Sequence, residues 1–147
     1  MTNLLQCLQM FCPGFPAGER DYGPYWRSLT PEALDRIANG IGPARWPAEY
    51  RDGIAALIAD IWCDELRDEL VEDANVHDVG YELGQRTEED RRFGANMRKS
   101  VLRCATISML MTRRGRARAA AALAAVTAME ALVTQFGGAA YLAHTES

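Results

Sequence analysis

Three side chains in the stretch NVHDVGYELG, Asn75 to Gly84, have types suited to chemistry: His77, Asp78 and Tyr81. Imidazole has a reference pKa of about 6.5, so a histidine can take a proton from water near neutrality and act as a general base. A base on a helix needs a partner for its second ring nitrogen. Asp90, in the first turn after the next short connection, is the candidate. Asp78 lies about 100° around the helix from His77, a poor position from which to orient the same ring, and its carboxylate is better directed at a cation. The other histidine, His144, lies near the end of the sequence and needs no role.

These residues require a helix pair to position them. Trp62, Leu66, Leu70, Ala74, His77 and Tyr81 recur at spacings of three or four, which predicts a helix from about Ile61 to Leu83 with the histidine on its core face. Asp60, Asp64, Asp68 and Glu72 form a like-charged stripe on the opposite side, suited to water or to arginines. Gly84 ends this helix, and Thr87 is the expected cap of the next, with Glu88, Glu89 and Asp90 near its positive end. Phe93, Met97, Val101, Cys104 and Ser108 mark its apolar row. The connection GQR is short, so the two helices are expected to form an antiparallel αα-hairpin. Trp62, Tyr81 and Phe93 read first as core, and Tyr81 can serve both core and site.

Around the hairpin, residues 1–30 read as an irregular arm rich in Gly, Pro and aromatics, packed by Tyr25 and Trp26. Thr30 and Pro31 open a short helix that Gly40 ends, Asn39 to Pro47 is a loop, and Glu49 to Asp60 is helical. An Ala-rich helix from about Arg116 to Gln135 is expected to stop at Gly137 and Gly138. The domain is thus expected over 31–142, with 143–147 as a tail. No repeat and no run of alternating strand residues is present, so the fold class is mostly α.

The chain has 147 residues, 48% of them apolar, enough for one domain that buries roughly 70% of its unfolded surface. A net charge of −4 argues against a surface committed to nucleic acid. The charges are nevertheless segregated: Asp60 to Asp78 carries eight acids against Arg67 alone, and Arg86 to Arg118 carries ten of the 16 basic residues. These segments can pair with each other or face different partners. Arg113, Arg114, Arg116 and Arg118 read as a solvated helix end or, more sharply, as a contact for an anionic surface, either lipid headgroups or nucleic acid phosphate. The four cysteines are too sparse for a dense disulfide framework. Cys63 and Cys104 either meet or remain two small thiols. The N-terminus lacks the pattern of a secretory signal, and Ala119 to Met129 is shorter than the about 20 residues needed to span a bilayer, so a soluble protein is expected.

The motif HDVGY resembles the His-Asp-x-x-Tyr helix of the secreted phospholipase A2 superfamily, whose fold pairs two antiparallel helices behind a calcium-binding loop. NGIGPARW, NVHDVGYELGQRTEEDRRFGANM and QFGGAAYL, in that order over about residues 39–142, are more closely similar to small phage and prophage proteins with a phospholipase A2-like core. The resemblance implies a Ca²⁺-dependent lipid-ester hydrolase acting at a phospholipid or membrane surface, virion-associated or in the host cytoplasm. His77 would activate water, Asp90 would be the carboxylate that orients His77, and Tyr81 would bond to that carboxylate. Asp78 would bind Ca²⁺ together with backbone carbonyls around Gly40, Gly42 and Ala44. The sequence departs from the pattern at Ile41, where the family loop has a cysteine, and at Gly94-Ala95, where relatives have Ala-Asp. The alternative reading is a non-catalytic phage structural or interaction protein that keeps the scaffold for a protein partner.

Overall fold

The computed structural model describes residues 19–38, 48–105 and 107–146, and the regular elements among them are helical, with no strand. Thr30 starts the first helix, α1 (Pro31–Ile37), by accepting the Ala33 amide at 3.2 Å, with Pro31 at the first position, where its missing N–H costs nothing. It ends at Ile37, with Ala38 as its C-cap. Then follow α2 (Ala48–Ile61), α3 (Glu65–Leu83), α4 (Arg86–Arg103), the single turn α5 (Ile107–Leu110) and the long α6 (Arg113–Glu146).

The apolar rows build the core. Trp62, Leu66, Leu70 and Ala74 are buried against Phe93, Met97 and Val101 of α4, and Ala119, Ala122 and Val126 of α6 close the far side. Full burial of each larger aliphatic stabilises by roughly 1.5–3 kcal/mol. Cross-helix partners run in opposite order along α3 and α4: Glu69 meets Arg103, Asp73 meets Ser100 and His77 meets Asp90. The hairpin is therefore antiparallel, as its two-residue connection, Gly84 and Gln85, requires.

Four boundaries differ from the periodicity, one of them the end of α4, which stops at Arg103 with Cys104 as its cap although its apolar row was expected to run on to Ser108. The helix expected from Ile61 starts at Glu65, because Arg118 Nε donates to the Ile61 carbonyl at 3.0 Å and its NH2 to that of Trp62 at 2.7 Å. Those acceptors would otherwise continue the helical ladder, and Leu66 N turns to Cys63 O at 3.2 Å instead. Thr87 is not the cap of α4: Gln85 holds that position with extended backbone, and its carbonyl already takes the Glu89 amide at 3.1 Å. The last helix does not stop at Gly137 and Gly138 but continues to Glu146. Two helical glycines cost about 1 kcal/mol each relative to alanine, and no proline breaks the Ala-rich run around them.

Within α6, Arg113–Gln135 is long and apolar enough to cross a bilayer by length and composition, with a mean hydropathy of 1.4, a longer stretch than Ala119 to Met129 suggested. One face of it, at Ala119, Ala122 and Val126, is packed into the core.

Residues 19–30, before α1, form a strap across both hairpin helices. Arg20 bonds to Asp73 Oδ1 and Glu69 Oε2 of α3, each at 2.6 Å. Asp21 and Asn96 of α4 exchange two bonds: Asp21 N donates to Asn96 Oδ1 and Asn96 Nδ2 to Asp21 O, both at 2.8 Å. The Tyr22 and Trp26 rings pack 5.1 Å apart.

Candidate active site

His77 lies one helical turn before Tyr81 on α3, and its ring stacks on Phe93 of α4 at 4.7 Å and leans on Tyr81 at 4.1 Å. Phe93 and Tyr81 hold the imidazole edge toward Asp90, whose carboxylate is 4% exposed. The His77 Nε2 to Asp90 Oδ1 distance is 2.9 Å, and the Tyr81 hydroxyl donates to the same oxygen at 2.5 Å. A carboxylate only accepts, so Nε2 carries the proton in this bond and Nδ1 of the neutral ring keeps its lone pair. The arrangement can therefore accept a proton at Nδ1 and stabilise the resulting imidazolium through Asp90. Burial, reinforced by Asp90, holds the Tyr81 phenol well above its usual range, so it remains a donor.

The approach of α3 to α4 here depends on Gly80. A Cβ at that position would stand 2.0 Å from Glu89 Oε2, and Glu89 is itself buried and paired with Arg92. The strap reaches the same place, since Arg92 Nε also lies 3.2 Å from Asp21 Oδ2.

His77, Asp90 and Tyr81 are thus brought together as the spacing predicts. Asp78 is half-buried on α3. Gly40, Gly42 and Ala44 lie outside the described residues. Among the described residues no three His, Cys, Asp or Glu side chains gather as a metal site. Calcium takes 6–8 oxygens, so one carboxylate such as that of Asp78 does not by itself make a calcium site.

The arginine cluster does not join the site. Arg118 caps α2, on the order of 20 Å along the helical direction from His77 at 1.5 Å per residue. Arg116 NH1 donates to the Leu110 carbonyl at 3.0 Å, while Arg113 and Arg114 are exposed. Cys63 and Cys104 do meet, as free thiols in hydrogen-bonding contact. Burial, then the neighbouring Cys63, pushes the Cys104 thiol up to about 12.

Arg86 is the site neighbour that the sequence reading missed. Its Nε lies 3.7 Å from Asp90 Oδ2, and its NH2 donates to the Thr134 carbonyl of α6. The signal was present as an i,i+4 Arg–Asp pair. Compared with known protein families, curated proteins and solved structures, the chain matches none.

Proposed function

We propose that the chain is a phospholipase A2-like hydrolase of phage or prophage origin that cleaves a carboxylic ester of a phospholipid. The observation that carries this reading is the buried His77–Asp90 bond, shared by Tyr81, between two antiparallel helices. Nδ1 of His77 takes a proton from water as the water oxygen forms a bond to the ester carbonyl carbon. The tetrahedral species collapses by breaking the bond to the alkoxy oxygen, which recovers the proton from His77. Asp90 stabilises the imidazolium between these two transfers. Asp78 and backbone oxygens around Gly40, Gly42 and Ala44 would hold Ca²⁺, which supplies Lewis-acid polarisation of the carbonyl when bound.

The test is fatty-acid release from phospholipid in mixed micelles with calcium, on wild type and His77→Gln. Wild type releases fatty acid, and the variant loses at least about 100-fold with unchanged helical circular dichroism. Isothermal titration of calcium into wild type and Asp78→Asn reports the cation separately: heat in the first and none in the second is expected. Absence of hydrolysis across headgroups overturns the proposal.

His77 is only 9% exposed and stacked between aromatic rings, which favours a second reading, a non-catalytic phage structural or interaction protein on the same scaffold. That reading predicts that His77→Gln lowers stability and that no esterase activity accompanies the folded protein.

A further inference from the structure

Asp90 presents two oxygens, and both of its close donors, His77 Nε2 and Tyr81 Oη, are on Oδ1. Because both bonds fall on one oxygen, a turn of the carboxylate about its Cβ–Cγ bond would carry Oδ1 off both donors at once. What faces Oδ2 is Arg86, one turn earlier on α4, with Nε at 3.7 Å.

The Arg86 side chain is tied at its other end. NH2 donates to the carbonyl of Thr134 on α6, and the guanidinium also bonds to the Tyr81 hydroxyl. Nε is enclosed by protein and has no hydrogen-bond partner. Enclosing a cationic donor without a bond is costly, and a tether to α6 through NH2 alone would not need Nε turned inward. The attraction of the Asp90 carboxylate accounts for that orientation.

We propose that Arg86 is a positioning residue for the proposed hydrolysis: it holds Asp90 Oδ2 so that Oδ1 stays in line with His77 Nε2, and it anchors this arrangement to α6. The inference rests on the reading of His77 as the base. Arg86 touches neither water nor ester in this scheme and acts only through Asp90 and Tyr81.

The experiment compares full-length wild type, Arg86→Met and Arg86→Lys at one fixed pH. The first readout is the downfield proton resonance of His77 Nε2–H, assigned by its absence in His77→Gln. The second is kcat and KM for phospholipid in mixed micelles. The resonance is expected to be sharp in wild type and in Arg86→Lys, whose ammonium can face the same oxygen, and lost in Arg86→Met. With it, kcat falls about 10–100-fold in Arg86→Met, as for other partners that orient a functional histidine, while KM stays within about twofold. Retention of the resonance and of kcat in Arg86→Met overturns the proposal, as does equal loss of the resonance in Arg86→Lys. The lysine variant keeps the question decidable if the methionine variant does not fold. A wild type without hydrolysis would defeat the proposed function alone, because the resonance still decides whether Arg86 holds Asp90.

Discussion

Replacing Arg20 by methionine removes a cation from the strap and leaves Asp73 fully buried without it. Two carboxylates lose a partner, but not equally. Glu69 is 35% exposed and keeps Arg103 at 2.8 Å, so its loss is small. Asp73 keeps only the neutral donor Ser100 Oγ at 2.5 Å among its hydrogen bonds. Removing one member of a buried ion pair costs about 3–5 kcal/mol, and the remaining hydroxyl puts Arg20→Met near the lower end, about 3 kcal/mol. For a chain of this length that lowers Tm by roughly 6–12 °C. Burial pushes the Asp73 carboxyl above its usual value, and Ser100 and Arg20 only partly offset this. A carboxyl with a raised folded pKa costs stability while it is charged, above that pKa, and the cost disappears once both states are protonated. Loss of Arg20 raises it further. For Glu69, burial is outweighed by Arg103 and Arg20, which lower its pKa; its contribution is present above the ordinary carboxylate range and is lost as pH falls through the folded value. Both effects make the Arg20→Met deficit largest near neutrality and smaller toward pH of about 4. Thermal unfolding followed by circular dichroism at several pH values measures it, with Arg20→Met/Asp73→Asn expected to recover most of the loss. A deficit under about 1 kcal/mol at neutral pH, or one that neither shrinks with acid nor recovers in the double variant, would refute the reasoning.

Tyr81→Phe removes one of the donors to Asp90 Oδ1 but leaves His77 and Arg86; a loss of about 1 kcal/mol in chemical denaturation is expected, and a loss above about 3 kcal/mol would mean that Tyr81 carries more than this bond. Gly94→Ala places a Cβ 2.1 Å from the Glu130 carboxyl carbon and pushes that side chain off Arg98. The expected cost is about 1–3 kcal/mol, recovered in part by Gly94→Ala/Glu130→Ala; no recovery would locate the strain elsewhere.

How far the sequence reveals this structure depends on the range of the forces involved. The row from Trp62 to Tyr81 is visible because helical periodicity is local, and a two-residue connection leaves the next helix little choice but to fold back. The order of the two helices then brings Asp90 to His77. The break before α3 was not visible, since Arg118 acts on Ile61 and Trp62 across more than 50 positions of chain. The strap was equally hidden: Arg20 and Asp21 find Asp73 and Asn96 at separations of 53 and 75 residues, with no composition cue to pair them. The glycine at position 94 looked like a departure from a pattern, and its reason, the carboxylate of Glu130, lies on another helix.

Among the described residues, the buried carboxylates Asp73, Glu89 and Asp90 each face an arginine: Arg20 from the strap, Arg92 from α4, and Arg86, also from α4. Apolar replacements of similar volume could be as stabilising, because desolvation offsets much of each ion pair's attraction. The value of the Asp73 pair here is register. A slide of α3 against α4 by one residue would rotate His77 by about 100° away from Asp90, while a Leu-on-Met contact would tolerate the change. Asp73 on Arg20 and Ser100 would not, since displacement would carry a buried carboxylate off both of these donors. Of the three, only Asp90 shares an oxygen with a histidine. The Asp73 pair, which ties the strap and α4 to α3, therefore fixes the helix alignment that keeps His77 against Asp90.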